Sequence, residues 1–138
     1  MTTTIRPTIS KKNKYWISKH RYYELKHFCL QYKTWKKAYS VIDNLEPPVL
    51  QADWVSSNNI DDPTSKYAII KAGYSNKIDM IEQSALEADP TITEYIIKAV
   101  TEELSYNYLK SKLNIPCSRD TYYDRYRKFF WILSKKRD

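Results

Sequence analysis

The fold of this chain is decided by one stretch, LNIPCSRDTYYDRYRKFFWILSKKRD, residues 113–138. Pro116 interrupts it near its start, and Ser118 stands where the N-cap of a following helix is expected, so the pattern predicts a helix over 119–136. At about 100° per residue, six large side chains fall on one side of this helix and predict its buried face. They are Tyr122, Tyr123, Tyr126, Phe129, Phe130 and Leu133.

The composition of the 138-residue chain also favours helices. Gly73 is its only glycine, and a chain so poor in glycine seldom builds tight hairpin turns or phosphate-binding loops. A hydrophobic content of 42% is enough for a core. No stretch approaches the roughly 18 apolar residues of a membrane span, and the first residues lack the apolar run of a leader peptide. The sequence therefore predicts an all-α protein without a membrane segment.

Two apolar stripes at helical spacing predict a long antiparallel helical hairpin. The first helix is expected from about Ser18 to Leu45, and the second begins at the cap signal Asp62-Pro63. The first stripe is Leu25, Phe28, Tyr32, Trp35, Tyr39 and Ile42, and the second is Tyr67, Ile70, Tyr74, Ile78, Ile81 and Ala85. We expect these stripes to form the core of the hairpin, with a homodimer seam as the alternative.

A three-helix unit is expected after the hairpin. Asp89-Pro90 repeats the cap signal and predicts a helix through about Glu103, and Ser105 is placed to cap a short helix ending at Leu113. A four-residue turn then leads to the helix over 119–136, which is helix-turn-helix spacing. The predicted division is a mobile basic tail over 1–17, the hairpin over 18–88 and the helix-turn-helix unit over 89–138.

Charge is distributed unevenly along the chain. The formal net charge is +7, and residues 1–45 carry ten Lys or Arg against two acidic residues. Residues 46–104 carry four against eleven, and residues 105–138 carry nine against three. Two basic ends of this kind suit a polyanion such as DNA, and an acidic middle keeps the remaining surface away from it.

The polar residues of the helix-turn-helix unit predict how it would bind DNA. The first turns of the second helix enter the major groove in such units. We therefore expect Arg119 and Arg125 to donate to guanine, with Arg125 ranked first, and Thr121 to contact a thymine methyl group. Lysines suit phosphates, which position a protein without specifying a sequence. The expected phosphate contacts are Lys110, Lys112, Lys128, Lys135 and Lys136.

Aromatic and basic residues also alternate near the start of the chain. Lys14, Trp16, Lys19 and Arg21 form a second set of candidate DNA contacts, through stacking on bases or binding of phosphates. One alternative is that these side chains pack the open end of the helical bundle. Another is a surface for a protein partner, because Tyr, Trp and Arg also anchor protein interfaces.

Two segments resemble a known family. SYNYLKSKLNIPCSRDTYYDRYRKFFWILSKKR (105–137) and KYWISKHRYYELKHFCLQYKTWKKAYSVIDNL (14–45) resemble small phage and prophage transcriptional regulators of the RinA and ArpU type. The C-terminal unit of that family is similar to the sigma-factor region that reads the −35 element. The resemblance implies a transcriptional regulator that binds double-stranded DNA in the cytoplasm of a bacterial host. The hairpin would then dimerise or contact RNA polymerase.

Two other functions remain open from the sequence. One is a phage assembly factor such as a small terminase subunit, which pairs a helix-turn-helix with an oligomerisation region. The other is a protein-interaction module that inhibits a host complex. Salt-dependent binding to DNA would separate the second of these from the rest.

Catalytic and metal-binding patterns are not expected. His20 and His27 lie seven residues apart with few carboxylates nearby, which makes a poor metal site. Cys29 is expected to pack as a small apolar residue. Cys117 precedes a helix whose N-terminus would lower its pKa, but it has no neighbouring base. The sequence contains no GxSxG, HExxH or P-loop pattern, so neither an enzyme nor a cofactor is predicted.

Overall fold

A computed structural model describes residues 11–44 and 63–138, and within these ranges the regular structure is helical, with no strand. The predicted all-α class is therefore confirmed for this part of the chain. In order, the elements are α1 (Lys19–Leu30), α2 (Tyr32–Asn44), α3 (Pro63–Ala88), a 3-10 helix (Pro90–Ile92), α4 (Thr93–Glu102), α5 (Tyr106–Leu113) and α6 (Arg119–Lys136).

Side-chain caps fix where several helices begin. Ser18, Ser105 and Ser118 each accept a hydrogen bond from the backbone N–H three residues later, at the starts of α1, α5 and α6. Asp89 caps the 3-10 helix by accepting from the N–H of Thr91. These bonds satisfy N–H groups that lack a partner within the helix. The predicted cap positions at 89, 105 and 118 are confirmed, whereas Asp62 lies outside the described residues.

The first predicted helix is broken. Instead of one helix from Ser18 to Leu45, α1 and α2 meet at Gln31, whose N–H donates to the carbonyls of Phe28 and Cys29. No glycine or proline causes this break, so the cause is tertiary packing. α1 lies against α4 and α6, while α2 lies against α3. The break allows the two halves to turn their apolar faces toward different neighbours.

The helices α2 and α3 run antiparallel. Tyr32, at the start of α2, donates to Glu82, and Lys71 of α3 pairs with Asp43 near the end of α2. The buried residues of α3, including Ile78 and Ile81, lie in its second half. The predicted second stripe is therefore buried in its later part alone. Ile70 is exposed, and Tyr67 and Tyr74 are partly buried.

The core is built around α6. All six residues of its predicted apolar face are buried, and Ile132 is buried beside them. The buried cluster runs from Ile17 to Leu133 and includes side chains of every α-helix in the described residues. The segments predicted as hairpin and helix-turn-helix unit therefore share one core. Tyr15 and Ile17 are also buried, although they lie within the segment predicted as a mobile tail.

Three tyrosine hydroxyls of the core differ in their hydrogen bonding. The hydroxyls of Tyr22 and Tyr126 are 2.7 Å apart and share a hydrogen bond, and burial raises the pKa of Tyr22 to about 12. The hydroxyl of Tyr122 is buried and has no hydrogen-bond partner in the described part of the chain. A buried hydroxyl without a partner lowers stability, because it has lost its water and gained nothing in return.

The aromatic face of α6 should carry much of the stability. Phe130 is fully buried, so Phe130→Ala should cost about 3–5 kcal/mol of unfolding free energy out of a total of about 5–15 kcal/mol. Lys128 lies on the opposite side of α6, so Lys128→Ala should leave the melting temperature nearly unchanged. Thermal unfolding followed by circular dichroism tests both variants. Equal melting temperatures would show that the two faces are wrongly assigned.

A second pair of variants isolates the tyrosine hydroxyls. Tyr126→Phe leaves the Tyr22 hydroxyl buried without its partner and should lower the unfolding free energy by about 1–3 kcal/mol. Tyr122→Phe deletes a hydroxyl that has no partner, so it should leave stability unchanged or raise it. Urea unfolding measures both changes. An equal loss in the two variants would mean that the Tyr122 hydroxyl also has a stabilising partner.

Candidate nucleic-acid interface

Hydrogen bonds and buried side chains hold the connection between α5 and α6 in place. Asn114 ends α5 in the left-handed region with φ 57°, and the N–H of Ile115 donates to the carbonyl of Leu109 at 3.1 Å. Ile115 and Leu109 are fully buried. The Tyr106 hydroxyl donates to the carbonyl of Cys117 at 2.6 Å. These bonds hold the turn between α5 and the first residues of α6 in place.

The surface of this unit is polar and basic. Lys110, Lys112 and Arg119 are exposed, and no carboxylate of the described residues lies within ion-pair distance of them. The guanidinium of Arg119 lies 5.5 Å from the ring centroid of Tyr123 and 3.5 Å from Asn107 Oδ1. Each of these cations has several N–H donors, so donors remain available for a phosphate or a base edge even though Lys110 Nζ also donates to the carbonyl of Ile115 at 3.5 Å.

Arg125, unlike Arg119, is paired with carboxylates. Its Nε donates to Asp89 Oδ2 at 3.1 Å, and its Nη1 contacts Asp124. The hydrogen bond with Asp89 is the main cause that raises the pKa of Arg125. The other carboxylate oxygen of Asp89 accepts from the N–H of Thr91 at 2.9 Å. Arg125 thus joins α6 to the 3-10 helix, which opposes its ranking above Arg119 as a residue that reads bases.

The remaining candidates on α6 also differ in the contacts that they make. Thr121 Oγ1 accepts from Ser118 Oγ at 3.0 Å within the helix cap. Lys135 Nζ lies 3.4 Å from the ring centroid of Trp131, and Lys136 pairs with Glu87 at 2.7 Å. Lys128 is partly buried and has no ion pair within the described ranges. Of the predicted phosphate contacts, Lys136 is therefore the one already paired with a carboxylate.

The candidates near the start of the chain also differ in whether they are exposed or already bonded to other residues. Lys14 and Lys19 are exposed, and Trp16 is partly buried. Arg21 instead joins α1 to the end of α6, since its Nε donates to Ser134 Oγ at 2.9 Å and its Nη2 to Asp138 at 2.6 Å. The structure therefore gives Arg21 a packing role and leaves the two lysines exposed.

Several cations in the rest of the described bundle have carboxylate partners. The other ion pairs join Lys26 to Glu103, Lys33 and Lys98 to Glu102, Lys36 to Glu82 and Lys71 to Asp43. Asp124 opposes phosphate in the predicted interface, but Arg125 neutralises it locally. Asp120 stands in the first turn of α6, where a negative charge interacts favourably with the helix N-terminus.

The cysteines and histidines supply no reactive centre in the described residues. Cys29 is buried, as predicted, and burial raises its pKa. The expected lowering of the Cys117 pKa is wrong, because burial and the nearby charge of Asp89 raise it. Both histidines are exposed. Within residues 11–44 and 63–138, no group of acidic, His or Cys side chains could hold a metal ion, and no helix is long and apolar enough to cross a membrane.

Two contacts of this region were missed by sequence reasoning. Asn107 of α5 approaches Arg119, and Tyr15 packs on Trp131 with ring centroids 5.4 Å apart. The second contact joins residues from opposite ends of the chain. Periodicity within one helix carries no information about such a pair, so no local signal could have found it.

The two arginines should differ in their effect on stability. Arg125→Ala removes the partner of Asp89, and both side chains are only partly exposed, at 35% and 17%. We expect a loss of about 0.5–1 kcal/mol and a melting temperature lower by a few degrees. Arg119→Ala should stay within about 0.5 kcal/mol of the parent protein.

A double-mutant cycle with Asp89→Asn, which keeps a capping oxygen, separates the ion pair from the cap. No coupling between Asp89→Asn and Arg125→Ala would contradict a stabilising pair.

Comparison with known proteins identifies no relative: no family model, curated protein or solved structure matches the chain. The resemblance to phage regulators therefore stays an expectation, and any function has to be argued from the side chains themselves.

Proposed function

We propose that this protein is a sequence-specific, double-stranded DNA-binding transcriptional regulator without catalytic activity. Its DNA-binding unit would be a helix-turn-helix formed by α5, the turn at 114–118 and α6. One observation carries the proposal: the cations of α5 and of the first turn of α6 are exposed and lack carboxylate partners. Several cations elsewhere in the described residues, such as Lys26, Lys36 and Lys71, do have carboxylate partners. Unpaired cations beside a turn that hydrogen bonds hold in place suit a phosphate-rich partner.

Arg119 is the residue that we now rank first for base recognition. It lies in the first turn of α6, where the second helix of such a unit meets base edges. Its guanidinium is free of carboxylates, whereas Arg125 would have to leave Asp89 and Asp124 before it could contact guanine. Lys110 and Lys112 would bind the flanking phosphates, and Thr121 would lie beside them.

The remaining helices would present the DNA-binding unit and contact a partner. In this proposal, α2 and α3 form the long antiparallel hairpin and the segment from Asp89 forms the three-helix unit. The hairpin would dimerise or contact RNA polymerase. This arrangement and a bacterial cytoplasmic location are what the resemblance of residues 14–45 and 105–137 to phage regulators would imply.

An alternative is a phage assembly factor or an inhibitor of a host complex, which would act through protein contacts. One observation favours such contacts. Val41, Ile69 and Ile70 are 53%, 70% and 51% exposed on α2 and α3. Exposed apolar groups on neighbouring helices are a feature of protein-binding surfaces. Light scattering distinguishes a ring-forming assembly factor from a monomer or dimer.

Point variants test the proposal better than truncation does. Removal of residues 105–138 would also remove α6, whose aromatic face forms the centre of the shared core. Loss of DNA binding by such a fragment would therefore report unfolding.

The proposal predicts unequal effects of Arg119 and Lys112 on DNA binding. Selection from a random DNA pool first supplies a preferred site. Arg119→Ala should then cost about 1–3 kcal/mol on that site and relax discrimination at one base position. Lys112→Ala should weaken preferred and random duplexes alike and lower the salt slope by about one. Titrations of both duplexes at two salt concentrations measure these effects.

Arg125→Ala is the matched control for a lost guanidinium. If it relaxes base discrimination while Arg119→Ala does not, the original ranking of the two arginines is correct. If no duplex binds to the parent protein at low salt, the proposed function is wrong and the basic surface serves another partner.

A further inference from the structure

The start of the described chain is attached to the second half of α6. Tyr15 packs on Trp131 with ring centroids 5.4 Å apart and an interplanar angle of 60°. Tyr15 and Ile17 are both buried. The N–H of Tyr15 also donates to Asn13 Oδ1 at 2.8 Å. The contact between Tyr15 and Trp131 attaches this segment to α6, so Lys14 beside it has a defined position on the surface.

Basic side chains collect around this aromatic pair. Lys14 Nζ lies 5.0 Å from the ring centroid of Tyr15, and Lys135 Nζ lies 3.4 Å from that of Trp131. Arg127 and Lys128 precede Trp131 by one helical turn and therefore share its face of α6. None of these four cations has an ion pair in the part of the chain that the structure describes. The Nε of Arg127 is buried without a hydrogen-bond partner.

Two neighbouring cations, in contrast, do have counter-charges. Arg21 and Lys136 lie at the same end of α6, yet each has a carboxylate within 2.7 Å. Like charges on one helix face repel each other. A group of cations that the protein leaves unpaired creates a positive potential, and that potential attracts a polyanion.

We propose that Lys14, Lys128 and Lys135, arranged around Tyr15 and Trp131, form a second surface that binds the phosphate backbone of duplex DNA without regard to sequence. Phosphate contact suits this geometry better than base stacking. Tyr15 is buried and Lys135 lies over the ring of Trp131, so neither ring offers the open face that stacking needs. Lysine ammonium groups act on phosphates as point charges.

This surface is separate from the proposed base-reading site at Arg119 in the first turn of α6, which we call the reading head. At about 1.5 Å per residue, Trp131 lies about 18 Å along α6 from Arg119. One duplex can contact both ends of the helix, but the second surface needs no base contact and does not depend on Arg119. It therefore goes beyond the proposed function, and its failure can be observed independently.

The test compares two charge-matched variants of the full chain. Lys14→Gln/Lys135→Gln removes two cations of the surface, and Lys33→Gln/Lys37→Gln removes two exposed cations of α2. Each variant binds a random-sequence duplex over a salt series from about 50 to 200 mM. The first variant should bind more than about tenfold more weakly near 50 mM salt. Its slope of log K against log salt should fall by about 1.8, from about 0.9 per phosphate contact. The α2 variant should keep the parent slope.

Equal slopes for the two variants would overturn the proposal. If the surface variant keeps its slope while Arg119→Ala loses base discrimination, the second surface is wrong and the reading head stands. The reverse result supports the second surface and removes the reading head. Poly-glutamate serves as a polyanion without phosphate. Equal loss of poly-glutamate and duplex binding by the surface variant would assign these lysines to an acidic protein and overturn the nucleic-acid assignment.

Discussion

Burial of one side of α6 constrains the positions of the helices around it. Phe129, Phe130 and Leu133 are fully removed from water, and α1 and α3 both pack against α6. Large aromatic side chains contribute much of the free energy of such a core. Because the described helices share one buried cluster, a change on this face of α6 affects the N-terminal helices as well. The main buried face of the core and a large share of the surface cations therefore lie on the same helix.

This arrangement restricts which cations remain available to a partner. α6 presents its core face to α1 and α3, and its flanks are joined to neighbouring elements by Arg125 with Asp89 and Lys136 with Glu87. What remains is the first turn, with Arg119, and the exposed side around Trp131. Fewer cations of α6 are therefore available to a partner than the sequence pattern suggests. If the helix binds DNA as proposed, base recognition would depend on its start, and its later turns would contact phosphates.

Local signals predicted the parts of the fold that depend on local chemistry. Ser105 and Ser118 predict where helices begin, because a capping hydrogen bond spans only three residues. The buried face of α6 is predicted by the 3.6-residue period of its apolar side chains. The break at Gln31 could not be predicted in this way, because it arises from contacts that α1 and α2 make with different helices. The candidate site shows the same division. The exposure of Lys112 and Arg119 agrees with the pattern, but the pairing of Arg125 with Asp89 joins residues 36 apart.

The distinction between paired and unpaired cations offers a physical basis for separating structural charges from charges that serve a partner. A half-buried pair such as Arg125 with Asp89 has already replaced part of its hydration with a protein contact, so binding an external phosphate would require that contact to be broken. An exposed lysine that rests on an aromatic ring keeps much of its hydration and all of its charge. Counterion release on binding DNA then favours the second kind of cation, since no internal bond has to be lost. By this argument Lys14 and Lys135 are better suited to a polyanion than Arg21 and Lys136, although all four lie at the same end of α6.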